Sequence, residues 1–313
     1  MIIVTTGDPN GIGPEIILKA GKKGFLKDCV VIGSNKVYSF YEKKLNTGMN
    51  WKNFSEDKKA DFTLIDIDFN FEIKPGSCNP DGGYFSLKCL DTAIEFLKSG
   101  KSKHLVTAPL SKKAVSYHIK NFIGHTEYLA QKFETQNYSM MLANDTFKVV
   151  LVTTHLSIKD LPASITPEKI KIAINNSSIF LKTINDSRGI AVCALNPHAG
   201  EEGLLGKEEI DIISPAIQEM QQKGIKVDGP FPADSLFKTV FKNTYGVYIA
   251  MYHDQGLGPL KMVSEGEGVN ITLGLPIFRI SVDHGTAYDI AGKGIADEES
   301  LISAIKIAKE VNI

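Results

Sequence analysis

The chain is short of cysteine. Its four, Cys29, Cys78, Cys89 and Cys193, are scattered and form no C-x-x-C pair. In a sequence of 313 residues that excludes a disulfide framework and a zinc knot, so the thiols are expected to be reduced. An excess of one charge is missing too: 35 Lys and Arg face 36 Asp and Glu, for a formal net charge of −1. No bulk attraction to nucleic acid or to an anionic membrane follows, and neither partner is expected. No uninterrupted apolar run reaches membrane-spanning length. The opening MIIVTT enters a strand at once, with no basic segment followed by an apolar one, and a cytoplasmic location is expected. Internal repeats and low-complexity stretches are absent. So are G-x-S-x-G and H-E-x-x-H, which leaves hydrolase chemistry without support.

What is present is a soluble, globular composition, 43% hydrophobic and 9% aromatic, long enough for one large domain or two. Short β-branched runs at 2–6, 29–33, 104–108, 147–154, 190–195, 246–252 and 268–273 predict strands. Amphipathic stretches at 85–98, 124–134, 167–184 and 207–223 predict helices between them. Thr166 and Pro167 suit the N-cap and first position of the third. The alternation predicts an α/β fold, a mostly parallel sheet with helices on both faces. The strands exceed what one comfortable sheet needs, so two lobes are expected. No linker composition marks the boundary. The polar, lysine-rich stretch 43–61 reads as a surface excursion.

Three of the seven histidines follow predicted strands directly: His155 in VVLVTTH, His198 in ALNPHAGEEG and His253 in IAMYHDQG. The carboxyl edge of an open α/β sheet is where ligands bind. Taken singly, each histidine reads as a hydrogen-bonded loop residue. Three at equivalent strand ends favour a divalent metal site, with a coordination position left for substrate. Asp254 is adjacent and suits either orienting an imidazole or meeting a substrate amine; its plainer reading is a turn residue. Asp234, in FPADSLF, reads as an N-cap rather than a catalytic acid.

A second group is cationic and polar. His125 and Thr126 open a predicted helix in IGHTEYL, which suits an anion or simply a capping arrangement by Thr126 or Gly124. Lys261, Asn270 and Arg279 lie among apolar neighbours, and the two cations suit a phosphate or carboxylate. An edge-strand reading competes for Arg279. The segment TTGDPNGIGPEIILKA has Gly7, Gly11, Gly13 and Pro14 placed for a strand–turn–helix. It is neither G-x-G-x-x-G nor a P-loop, and alone it is weak evidence of nucleotide binding. Near the end, DHGTAYDIAGKGIAD at 283–297 carries glycines at 285, 292 and 294, which permit tight turns and close approach to a flat ligand.

The last stretch resembles the adenosine-binding loop of the isocitrate/isopropylmalate dehydrogenase superfamily, whose members also open with a GD-x-GIGPE loop. Together GDPNGIGPE, TAPLSK, GHTEYLA, TTH, LNPHAGE, PADSLF, MYHDQGLGPLK, VNITLGLP and VDHGTAYDIAGKG resemble the 4-hydroxythreonine-4-phosphate dehydrogenase family of pyridoxal phosphate biosynthesis, from residue 5 to about 296. The agreement is weakest at 34–80 and 201–206. The resemblance implies two α/β/α lobes with an active site in the cleft between them. One lobe is 1–130 plus 270–313, carrying the adenosine loop; the other, 131–269, carries the metal histidines and a dimer interface.

It also implies one divalent metal (zinc, magnesium or cobalt) on His155, His198 and His253, and substrate contacts from His125, Thr126, Lys261, Asn270 and Arg279. NAD or NADP would lie against His284, Gly285, Thr286, Ala287 and Asp289. A homodimer is implied, with the active site at the subunit interface and the third metal histidine coming from the partner. The implied reaction oxidises 4-phosphooxy-L-threonine to a β-keto acid that loses carbon dioxide. Lys261, Asp254 and water remain open as the proton acceptor. The competing readings are a related dehydrogenase of threonate or erythronate phosphate, and, with less support, an acyl-phosphate transferase of the same fold or a pure binding module.

Overall fold

A computed structural model describes residues 1–55, 60–263 and 268–313. The chain divides into two compact units: Met1–Glu134 with Pro276–Val311, and Thr135–Leu275. No helix among the described residues is long and apolar enough to cross a membrane.

The first unit contains, in chain order, β1 (Ile2–Thr5), α1 (Gly13–Lys22), β2 (Cys29–Gly33), α2 (Asn35–Leu45), β3 (Trp51–Asn53), β4 (Phe62–Asp66), α3 (Pro80–Lys98), β5 (His104–Thr107), α4 (Lys112–Ser116) and α5 (His125–Lys132). The second holds β6 (Ser139–Ala143), β7 (Lys148–Leu151), α6 (Leu161–Ser164), α7 (Pro167–Thr183), β8 (Gly189–Cys193), α8 (Ser214–Gln222), β9 (Val227–Phe231), α9 (Ala233–Leu236), β10 (Tyr245–Ala250), α10 (His253–Met262) and β11 (Val269–Leu273). The chain then returns to the first unit with β12 (Phe278–Val282) and α11 (Glu299–Glu310).

In the first unit the strands run in the order β3-β4-β2-β1-β5-β12, all parallel. β1, β2 and β12 are buried at every position, as expected for parallel strands covered by helices on both faces. Local signals start the helices. Ser34 caps α2 by accepting from Lys36 N, Asn79 caps α3 from Gly82 N ahead of Pro80, and Thr166 caps α7 ahead of Pro167.

The second unit is mixed, in the order β11-β6-β7-β10-β8-β9. β6 runs antiparallel to both β7 and β11, while β7, β10, β8 and β9 are parallel. Its core gathers Val149, Tyr248 and Ala250 from the sheet, Phe147 from just ahead of β7, and Leu257 and Leu260 from α10.

Three expectations need correction. The stretch 43–61 is not only a surface excursion: it ends α2 and contains β3, whose Trp51 ring stacks on Phe62 at 5.7 Å. Residues 56–59 of that stretch lie outside the described residues. Asp234 is not an N-cap, because Pro232 holds that position and Asp234 lies in the first turn of α9. The helix expected over 207–223 begins as one π-helical turn, Glu209–Ile213, before α8.

Candidate active site

In the first unit, β12 and α5 bring His125, Thr126 and Arg279 together. Arg279 sits mid-strand, paired with Leu105 of β5, and is 3% exposed. Its Nη2 donates to Thr107 Oγ1 at 2.9 Å and its Nη1 to Thr126 Oγ1 at 3.4 Å. Burial pushes the guanidinium down to about 10, partly offset by Glu127, so it remains charged at neutral pH. His125 is the first residue of α5, with Gly124 at the N-cap and no side-chain cap. Burial, then Arg279, then Lys112 hold its imidazole well below 6.5. A neutral imidazole, a buried guanidinium and two hydroxyls form a cluster of positive potential suited to an oxyanion. Lys112 belongs to it as well. A Cβ on Gly124 would stand 3.8 Å from its Nζ. The motif TAPLSK contains Lys112, but a lysine starting a five-residue helix carries no pattern that distinguishes it from a solvated one.

The His125 shift has a consequence for stability. Its folded-state pKa lies below 6.5 and its unfolded value near it, so between the two the unfolded chain binds the extra proton. Stability therefore falls as pH drops below 6.5. The urea midpoint should decline from pH 7 to pH 5.5, and the decline should be smaller in His125→Gln, with all other carboxylate and histidine effects common to both.

The stretch from His284 to Asp289 is irregular backbone at the surface of the first unit, between β12 and α11. Ala287, Gly292 and Gly294 adopt left-handed φ of 42°, 70° and 77°. His284 Nδ1 lies 3.1 Å from Gly285 O. Its Nε2 is shielded from solvent and has no hydrogen-bond partner among the described residues. Nothing lies within 4 Å of where a Gly285 Cβ would be. An unpaired ring nitrogen is a group that a polar atom of a ligand would satisfy.

In the second unit the three candidate histidines follow three strands that are neighbours in the sheet. β7, β10 and β8 end at Leu151, Ala250 and Cys193, and His155, His253 and His198 come within five residues of those ends. The rings of His155 and His253 lie 5.6 Å apart. His253 Nδ1 is 2.7 Å from Asp254 Oδ1. Asp254 therefore fixes the ring and leaves Nε2 for a ligand. Of the two sequence readings of Asp254, orientation of the imidazole is the one this contact supports. His198 does not join the pair: among the described residues no three His, Cys, Asp or Glu side chains are grouped to hold a metal ion. Lys261 is exposed in the last turn of α10, the helix that His253 opens, and Asn270 is half-buried on β11.

His198 occupies unusual backbone. His198, Ala199, Gly200, Glu201 and Glu202 have φ of 52°, 55°, 78°, 45° and 56°. Left-handed backbone costs about 1–2 kcal/mol for each residue with a side chain. Glu209 offsets part of that. Its carboxylate is 3% exposed, and Oε1 accepts from Leu195 N and Asn196 N at 2.8 Å each, while Oε2 accepts from the Asn196 amide at 2.9 Å. Sequence reasoning passed over Glu209, since a glutamate opening an amphipathic stretch looks solvated. Glu209→Ala should lower the free energy of unfolding by about 3 kcal/mol. Urea denaturation gives the value directly.

Comparison with known proteins decides the family. The model for "Pyridoxal phosphate biosynthetic protein PdxA" matches residues 26–308. The chain belongs to the PdxA family. Across 99% of its length and 96% of the relative's, it is 40% identical to a Bradyrhizobium diazoefficiens protein described, provisionally, as a D-threonate 4-phosphate dehydrogenase. It is 38% identical to a 4-hydroxythreonine-4-phosphate dehydrogenase of Chromobacterium violaceum, over 99% and 96% of the two chains. The crystal structure of the Klebsiella pneumoniae 4-hydroxythreonine-4-phosphate dehydrogenase superposes with a TM-score of 0.89 at 36% identity, covering 99% and 98%. Membership in the PdxA family makes the chain an NAD(P)-linked oxidoreductase with the α/β fold of the isocitrate/isopropylmalate dehydrogenase superfamily.

Proposed function

We propose that the chain oxidises 4-phosphooxy-L-threonine with NAD or NADP to 2-amino-3-oxo-4-phosphooxybutanoate, which loses carbon dioxide to give 3-amino-2-oxopropyl phosphate, within pyridoxal phosphate biosynthesis. The observation that carries this reading is the buried Arg279 beside Thr126 and a neutral His125, an oxyanion pocket in a member of the PdxA family. Arg279, His125 and Thr126 bind and orient an anionic group of the substrate, with Lys112 adding charge at the rim. Lys261 and Asn270 complete the substrate contacts. His284, Gly285, Thr286, Ala287 and Asp289 receive the adenosine.

A divalent cation, whether zinc, magnesium or cobalt, suits His155, His198 and His253, because all three follow neighbouring strands of one sheet and Asp254 leaves His253 Nε2 available. When bound, it would supply Lewis-acid polarisation of the substrate hydroxyl, with NAD or NADP as the hydride acceptor. The hydroxyl proton leaves to Lys261 or to solvent, since Asp254 is engaged with His253.

The working assembly is a homodimer with a shared site. The third metal histidine, His253, is the partner's contribution to that site. Mixing His155→Ala with His253→Ala subunits should then restore roughly a quarter of wild-type activity, because random pairing gives half hybrids with one intact site each. No recovery on mixing, with hybrid dimers shown to form, refutes that assignment.

The second reading, D-threonate 4-phosphate, is favoured by the Bradyrhizobium relative. The two substrates share the phosphate and the reacting hydroxyl but differ in the amine. Measuring kcat/KM with each separates them. The first reading expects at least a tenfold preference for the phosphothreonine, and a reversed preference overturns it.

A further inference from the structure

The segment GDPNGIGPE is not a phosphate loop, yet Asp8, Asn10 and Glu15 within it are all fully buried. Their partners lie in one place. Glu15 Oε2 accepts from Gly292 N at 3.1 Å and Oε1 from Ala296 N at 2.8 Å. Lys19, one turn further along α1, donates to Ala296 O at 2.6 Å and stands 3.5 Å from Glu15. Tyr288 donates its hydroxyl to Asp8 Oδ2 at 2.6 Å, and Asp8 Oδ1 accepts from Asn10 N at 2.9 Å. Ile12 N donates to Thr286 O at 3.0 Å. Gly11 has no room for a side chain there, since a Cβ would stand 2.9 Å from Thr286 O. Asn10 ties in a third segment, accepting from Gly76 N at 2.8 Å and from Lys74 N at 2.7 Å. Gly76 in turn backs onto Tyr288 O, 2.9 Å from where its Cβ would be.

Positions 286, 288, 292 and 296 of the C-terminal loop are thus fastened to the N-terminal segment. The loop has little to hold itself: within it Ile290 N donates to Ala287 O and Lys293 N to Ile290 O, both at 3.1 Å, around three left-handed residues. We infer that Glu15 and Tyr288 are positioning residues for the dinucleotide, holding the loop backbone in the one shape that receives adenosine without touching the cofactor themselves. This rests on the reading that 284–289 forms the adenosine site. A loop freed from these anchors spends less time in the competent shape, and apparent affinity falls by that fraction.

The test titrates NADH and NADPH into the full chain by fluorescence, without substrate, for wild type, Glu15→Gln, Tyr288→Phe and Asp289→Ala. Gln keeps the shape of Glu15 but can accept from only one of the two amides. Tyr288→Phe removes a single hydroxyl and serves if Glu15→Gln shows no cooperative thermal transition. The expected result is a dissociation constant raised roughly tenfold in Glu15→Gln and severalfold in Tyr288→Phe, on the scale of one charge-assisted hydrogen bond. In turnover the loss should appear in KM for NAD(P), with little change in kcat at saturating cofactor. Unchanged affinity in Tyr288→Phe and in folded Glu15→Gln, with Asp289→Ala weakened, overturns the inference. Unchanged affinity in Asp289→Ala overturns the adenosine assignment instead.

Discussion

Replacing His253 with alanine should lower kcat/KM by about three orders of magnitude, the scale of several kcal/mol of Lewis-acid stabilisation at ~1.4 kcal/mol per decade. The expectation follows from position. His253 opens α10 directly beyond β10, its ring faces His155 at 5.6 Å, and Asp254 pins its Nδ1. Bound metal, measured by elemental analysis after dialysis, should fall in parallel. Asp254→Asn should be milder, about 10–100-fold, because it loosens the ring without removing the ligand. The fold should survive both, since His253 is 36% and Asp254 87% exposed at the side chain and neither packs the core. Metal content unchanged in His155→Ala, His198→Ala and His253→Ala alike would sink the metal assignment.

Arg279→Met should cost about two orders of magnitude in kcat/KM through loss of charged hydrogen bonds to the substrate. Stability should move little or rise. A buried guanidinium carries a desolvation penalty, and an apolar side chain of similar length removes it. A drop in activity with a maintained thermal midpoint separates a binding role from a structural one. Arg279→Lys should recover only part of the loss. A point charge on a flexible stem does not reproduce a planar fork held by Thr107 and Thr126. Should Arg279→Met raise KM for NAD(P) and leave the phosphorylated substrate unaffected, the pocket would belong to the cofactor.

The sequence made some of this legible. β1 (IIVT) is wholly β-branched, β2 (CVVIG) carries three β-branched residues in a row and β5 (HLVT) ends on two, as strands covered on both faces do, and that signal is strong. Other strands gave little. β6, SMMLA, lacks β-branched residues; β12, FRISV, carries a buried arginine; β9, VDGPF, contains proline, which an edge strand tolerates. The antiparallel pairing of β6 with β11 was equally hidden, since β11 lies more than a hundred residues on. The strand-end histidines were readable because a strand carries its own signature and the next residues fall at its edge. Glu15 and Glu209 were not. A carboxylate on an amphipathic helix looks solvated until its partners are known, and those of Glu15 are 277 and 281 residues away.

The most direct measurement is absorbance in the reduced-nicotinamide band. Purified protein with a divalent metal and NAD or NADP receives 4-phosphooxy-L-threonine, with and without a chelator. The expected result is a rise that the chelator abolishes and added metal restores. No rise with either cofactor, or a rise that the chelator leaves untouched, would contradict a metal-assisted phosphothreonine dehydrogenase.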